Sequence, residues 1–138
     1  MENSGEEIAY PTVGQICEIN RRMIVEKEFG GLFVEPNNLL NLSALEYILE
    51  AIQFSMYGFT IYPTLKEKAA AISHHIISRH VFHDGNKRTG THIAWEFLRA
   101  NGKEVFLDES IVELTVAIAK SEVSHEALLQ WLHEHQVT

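Results

Sequence analysis

Apolar and polar residues alternate along this chain mostly at helical spacing. Val13, Ile16, Cys17, Met23 and Ile24, with Ile19 and Asn20 beside them, fall on one stripe and predict a first helix. Glu28–Phe29–Gly30–Gly31 predicts its end, because paired glycines weaken a helix and supply a left-handed cap. Pro36–Asn37–Asn38 reads as a new helix start, followed by the stripe Leu39, Leu42, Leu45, Ile48, Leu49 and Ile52. Gln53–Thr64 differs in character: Phe54, Tyr57, Phe59, Ile61 and Tyr62 are aromatic or β-branched, punctuated by Gly58 and Pro63, and predict a loop or short β-ribbon. Leu65–Arg79 returns to helix with Ala69, Ile72, Ile76 and Ile77 inward. A polar break at His80–Lys87 precedes a helix over Arg88–Asn101 closed by Gly102. Val105–Leu107 reads as a short extended piece, and Ile111–Ala119 and His125–His135 as terminal helices. The expected architecture is all-α, a compact bundle of about six helices with a possible short β-ribbon. Residues 1–12 read as a flexible N-terminal tail and 13–138 as a single domain, with no internal repeat or dividing linker.

Composition narrows the class. A chain of 138 residues with 46% hydrophobic and 22% charged residues suits one soluble globular domain. A formal charge of −8 argues against nucleic-acid binding, which needs a basic face to displace counterions. The single cysteine, Cys17, cannot form an intrachain disulfide and is expected on the buried side of its helix. No signal pattern or membrane-length apolar run is present, so a cytoplasmic protein without a membrane partner is expected.

The densest reactive chemistry is His80-Val81-Phe82-His83-Asp84-Gly85-Asn86-Lys87-Arg88-Thr89-Gly90, between two predicted helices. The N–H groups of Gly85 to Thr89 would stand at a helix N-terminus, where unpaired donors and the helix dipole attract phosphate. Gly85 has no side chain to obstruct an anion, and Lys87 and Arg88 add cations, Arg binding bidentately. Asp84 is the only carboxylate in the loop, and one acid beside phosphate oxygens is enough to hold Mg²⁺. Imidazole is the side chain suited to accept a proton near neutral pH, which makes His80 the candidate base. The stretch is not a Walker A loop: Gly85 and Gly90 have the right separation, but Thr91–His92 stand where Lys and Ser/Thr are required.

At these residues the chain resembles the Fic/Doc family, in particular its death-on-curing branch. The family pattern, His-x-Phe, an acidic residue, Gly/Ala-Asn-Gly/Lys-Arg, is met by His80, Phe82, Asp84, Gly85, Asn86, Lys87 and Arg88. Asn20-Arg21-Arg22, Phe29-Gly30-Gly31, Ser43-Ala44-Leu45, Lys68-Ala69-Ala70, Phe97-Leu98 and Asn101-Gly102 extend the likeness. The resemblance implies a compact all-α fold whose central helix begins just after the motif. It implies catalytic roles for His80, as base on the target hydroxyl, and for Arg88, which would bind and stabilise the phosphates. It also implies Mg²⁺ at Asp84, and a nucleotide site at Gly85, Asn86, Lys87, Arg88 and Thr89. Phe82 would anchor the loop.

Lys87 directs the choice of reaction. Family members that transfer AMP usually carry glycine there; Doc-type members carry lysine and resemble kinases that use ATP in a reversed orientation. The expectation is a toxin of a toxin–antitoxin system that phosphorylates a Ser or Thr hydroxyl of a protein substrate, by analogy a translation GTPase. Gly85 matches the AMP-transferring relatives at one place, so nucleotidyl transfer stands as the alternative, with a catalytically silent nucleotide-binding protein as a third reading. No Ser/Thr-x-x-x-Glu-Gly/Asn inhibitory motif is found, so a separate antitoxin chain is the expected inhibitor. The Gln53–Thr64 segment could dock the target strand by β-augmentation.

Ordinary explanations compete at each position. Val81 and Phe82 suit the core whatever the function, and an aspartate before a helix is commonly an N-cap. Two cations at a helix N-terminus oppose the dipole, an odd structural choice that favours a functional reading of Lys87 and Arg88. His74, His75, His80 and His83 lack the partners of a tetrahedral zinc site.

Overall fold

The computed structural model describes residues 7–26 and 31–137. Among them are six α-helices: α1 Val13–Arg21, α2 Leu42–Ala51, α3 Leu65–Ser78, α4 Asn86–Ala100, α5 Ser110–Ala119 and α6 His125–Glu134. The only sheet among the described residues is an antiparallel ribbon of β1 Ser55–Met56 and β2 Phe59–Thr60, with Ser55 opposite Thr60 and Met56 opposite Phe59. The all-α reading with a short ribbon is the observed fold.

α1 starts on a capping box in which Thr12 Oγ1 accepts from Gln15 N–H and Gln15 Oε1 accepts from Thr12 N–H. A π-helical stretch, Arg22–Glu26, continues it. The helix end expected at Glu28–Gly31 lies outside the described residues except for Gly31. The loose tail expected over 1–12 does not hold for its described part. Ile8 and Tyr10 pack on the core, Tyr10 stacks on Phe97, and Ala9 exchanges two hydrogen bonds with the Asn101 carboxamide. Residues 1–6 lie outside the described residues.

The second helix begins later than Pro36–Asn38 suggests. Asn38 is left-handed (φ 58°), Leu39 forms a lone bridge with Phe82, and the cap is Asn41, whose Oδ1 accepts from Ala44 N–H. Apolar spacing extends smoothly through Leu39, but a backbone that must bond to the motif loop cannot also be helical there.

α3 is the most enclosed element: 10 of its 14 residues are buried, against 6 of 15 in α4. The helix before the motif, not the one after it, is therefore central. One core cluster joins α1, α2 and part of α3 with Val81, Phe82 and Ile93 of α4; the other joins an adjoining face of α3 with α4, α5 and α6. The close passage of α3 and α4 depends on Gly90, where an added Cβ would lie 2.7 Å from Ile77 Cγ1 and 3.0 Å from the Ser73 carbonyl. This packing sets the loop between the two helices on a rigid base.

Candidate active site

α3 ends at Ser78 and the chain turns sharply, with His80 left-handed at φ 48°. Val81 and Phe82 then drop into the core with no exposed surface. That anchoring is expected of two large apolar residues and forces the polar residues on either side to the surface. The turn is braced by its neighbours: Leu40 and Asn41 N–H both donate to the Val81 carbonyl, and His83 N–H donates to the Asn38 carbonyl.

His80, His83, Asp84, Gly85, Asn86, Lys87 and Arg88 line one cleft of about 280 Å³, together with Ile77 and Ala119. The residues singled out by sequence are thus brought together, with one exception. Thr89 is fully buried; its hydroxyl accepts from Asn20 Nδ2 at 3.0 Å and its N–H donates to the Gly85 carbonyl at 2.8 Å. Thr89 is placed as a strut of the first turn and not as a cleft residue, because helix geometry turns the fourth residue of the turn inward. The Thr89–Gly85 bond is the first of α4, so the amides of Asn86, Lys87 and Arg88 precede the helical ladder.

Gly85 is the N-cap, left-handed at φ 80°, with no side-chain cap. A Cβ there would meet Ile24 Cδ1 at 2.9 Å and Asn20 Nδ2 at 3.1 Å, so both backbone angle and packing call for glycine. Asn86 has its carboxamide committed to the Phe82 backbone, accepting from its N–H and donating to its carbonyl. Its side chain thereby shapes the turn.

Asp84 does not cap α4. Its Oδ2 accepts from Leu32 N–H at 2.9 Å and its Oδ1 from Gly85 N–H at 2.8 Å. Each carboxylate oxygen therefore has a lone pair left for a cation. The Leu32 N–H, more than any other influence, holds this carboxyl below the usual carboxylate range; burial opposes it, and Gly85 N–H, Arg88 and Lys87 reinforce it. Arg88 Nη1 donates to the Met23 carbonyl at 3.0 Å, which lies in the π-helical stretch, so Arg88 is tethered at the cleft wall. Gly31 closes over both: a Cβ on it would sit 2.7 Å from Asp84 Oδ2 and 3.5 Å from Arg88 Nη2.

Asn38, part of a helix start by sequence, and Asn20, beside an apolar stripe, carry no site role in the sequence pattern. Both are fully buried and converge on the Asp84 carbonyl. The available signal was a carboxamide on an otherwise apolar helix face, since a buried amide must find partners.

A larger cavity of about 570 Å³ lies between α1 and α4, lined by Tyr10, Ile19, Trp95 and Phe97 among others. It contains none of the motif residues, which gather at the smaller cleft. Among the described residues no three His, Cys, Asp or Glu side chains cluster to hold a metal by themselves. No helix of the described residues is long and apolar enough to cross a membrane.

The six-helix fold gathers a helix start, a carboxylate, two cations and an imidazole around one cleft, a set of groups chemically able to hold a phosphate. The chain belongs to the Fic/DOC family, whose family model matches residues 10–98. It is 43% identical over 56 residues to Toxin Doc of Mycolicibacterium smegmatis, covering 41% of this chain and 43% of that protein. It is 47% identical over 45 residues to Protein kinase doc of Escherichia phage P1, covering 33% of this chain and 36% of that protein. The matched segments span less than half the length of these relatives.

Proposed function

We propose that this protein is a Doc-like toxin that transfers the γ-phosphate of ATP to a Ser or Thr hydroxyl of a protein, and that a separate antitoxin chain restrains it. The observation that carries this reading is the convergence of His80, Asp84, Lys87, Arg88 and the α4 N-terminus on one cleft. The two relatives, a toxin and a protein kinase, support the same direction.

In this reading the phosphates lie against the amides of the first turn of α4, with Lys87 and Arg88 offsetting their charge. Mg²⁺ fits Asp84, whose carboxylate keeps unused lone pairs beside the anion turn, and when bound it would further neutralise the phosphates. His80 takes the proton of the target hydroxyl; the hydroxyl oxygen bonds to the γ-phosphorus, the bond to the β-phosphate oxygen breaks, and ADP leaves. A protein target would find a docking edge on the ribbon, where Met56, Tyr57 and Phe59 are all exposed, Tyr57 by 99%.

The test is incubation of candidate proteins with ATP labelled at either the α or the γ phosphate, with His80→Ala as control. Label moving from the γ position alone, and only with intact His80, is the expected result. Transfer of the α label alone would make the protein a nucleotidyltransferase, and no transfer with retained ATP binding would make it a binding protein.

A further inference from the structure

We infer that Asn20 and Asn38 are positioning residues of the cleft, a carboxamide pair that sets the Asp84–Gly85 peptide so that carboxylate and helix start face the same ligand. The inference rests on the proposed nucleotide site. Asn20 projects from α1 and Asn38 from the loop ahead of α2, 18 positions apart, and both side chains are wholly buried. Asn20 Nδ2 donates to the Asp84 carbonyl at 2.9 Å and to Thr89 Oγ1 at 3.0 Å. One nitrogen therefore spans the turn, from the residue before the cap to the first residue bonded into the helix. Asn20 Oδ1 accepts from Asn38 Nδ2 at 3.0 Å, and Asn38 Nδ2 also reaches the Asp84 carbonyl at 3.3 Å. Asn38 Oδ1 accepts from Val34 N–H at 2.8 Å, and its backbone carbonyl accepts from His83 N–H at 2.9 Å.

Each amide hydrogen and each side-chain oxygen of the pair has a partner. Such a closed network is rigid, because any rotation leaves a buried polar group unsatisfied. Two donors on one carbonyl oxygen fix the plane of the Asp84–Gly85 peptide. That plane sets where the Gly85 N–H and the Asp84 carboxylate point. Neither asparagine lines the cleft, so both act through Asp84. Left-handed φ at Asn38 fits this role, since asparagine tolerates that region better than other side chains.

Asn20→Asp preserves shape but replaces two donors with an acceptor facing the Asp84 carbonyl. Asn38→Ala removes one donor to that carbonyl and leaves Asn20 in place. Ile16→Val, a core change on α1 that touches no part of the network, controls for lost stability. The Gly85 amide resonance in a ¹⁵N spectrum reads the turn directly, and titration with ATP and Mg²⁺ reads its consequence. Both asparagine variants should move the Gly85 resonance and weaken nucleotide binding by about tenfold or more, as residues supporting a binding shell commonly do; Ile16→Val should do neither. If Asn20→Asp does not fold, Asn38→Ala carries the test. An unmoved Gly85 resonance, or a moved one with unchanged ATP affinity, overturns the inference. Should the unaltered protein bind no ATP, the proposed function fails, and the Gly85 resonance alone still decides whether the pair orients the turn.

Discussion

Asn86 and Phe82 hold each other through a two-bond ring: Phe82 N–H donates to Asn86 Oδ1 at 2.9 Å, and Asn86 Nδ2 donates to the Phe82 carbonyl at 2.8 Å. Phe82 is sunk in the core, so the ring transmits the position of the core to the first residue of α4. An asparagine among cleft-lining polar residues invites a direct role with a ligand, yet here its side chain is consumed in shaping the turn.

Asn86→Ala should therefore destabilise the whole fold as well as the site. It leaves a buried N–H and carbonyl without partners, which costs about 2 kcal/mol. Asn86→Asp keeps the acceptor for Phe82 N–H but sets a carboxylate oxygen against the Phe82 carbonyl, and should be no better. Denaturant titration measures both; a change well under half of that figure would mean the ring is dispensable.

His80 is predicted to show the reverse. Its side chain is exposed and its backbone is left-handed at φ 48°, a region in which an L-residue is strained by about 1 kcal/mol. His80→Gly should raise the melting temperature slightly while reducing phosphate transfer by roughly a hundredfold or more. Thermal melts and single-turnover rates on the same preparation check the pair of outcomes. Loss of activity through unfolding would lower the melting temperature instead.

How far the site was legible in sequence follows from what kind of interaction places each residue. The motif residues that reach the cleft do so because Val81 and Phe82 are apolar and their neighbours are not, a contrast readable residue by residue. The helices around Ile72, Leu98 and Leu128 are legible for the same reason. Thr89 was expected at the cleft because proximity in the motif does not reveal which way a helix turns its fourth residue. Asn38 reads as a helix start in sequence because its bonds run to residues 20, 34, 83 and 84, and long-range hydrogen bonds leave no periodic trace. Leu32 and Met23 act through backbone N–H and carbonyl, which every residue carries, so no side-chain pattern could single them out.

Lys68 is a buried cation with no carboxylate bonded to its head among the described residues. Its Nζ donates to the carbonyls of Ile52 and Tyr62 at 2.7 and 2.6 Å, the two ends of the ribbon segment. Burial lowers its pKa, and the neighbouring Glu67 partly restores it. Lys68→Met should leave both carbonyls unpaired, destabilise the protein by about 2 kcal/mol and loosen residues 53–61 ahead of the rest. Limited proteolysis followed by mass analysis would show cleavage within that segment first; cleavage elsewhere first would mean the lysine does not hold the ribbon's base.

The C-terminal end of α6 carries a clasp whose protonation can be deduced from geometry. His135 stacks on Trp131 at 3.7 Å, with Nδ1 2.8 Å from the Trp131 carbonyl and Nε2 2.9 Å from Asp108 Oδ2. Both partners only accept, so both ring nitrogens must donate, and only the imidazolium has two N–H groups. Burial of the ring works against that charge, but the Trp131 carbonyl and the Asp108 carboxylate outweigh it and raise the His135 pKa. Asp108 is held low above all by the Ser110 hydroxyl, then by the Ser110 N–H, with His135 adding to them. A histidine whose folded pKa is raised contributes its full stability below the ordinary histidine range and loses it as pH rises through the raised value. An aspartate whose pKa is depressed keeps its contribution above the ordinary carboxylate range and loses it only on acidification through the lowered value. The clasp is therefore strongest between the two, in mildly acidic solution, and weakens toward alkaline pH. Melting temperature followed from about pH 5 to about pH 9 should fall through the histidine range, and Asp108→Asn should flatten that fall by removing the charge that favours the imidazolium. The clasp joins α6 to the 104–108 segment, where Phe106 N–H donates to the His135 carbonyl and Val137 N–H to the Glu104 carbonyl. Hydrogen exchange at those two amides should accelerate over the same pH interval beyond the intrinsic base-catalysed rise. Equal protection in the variant and the unaltered protein across that interval would mean that His135 is not charged in the native state.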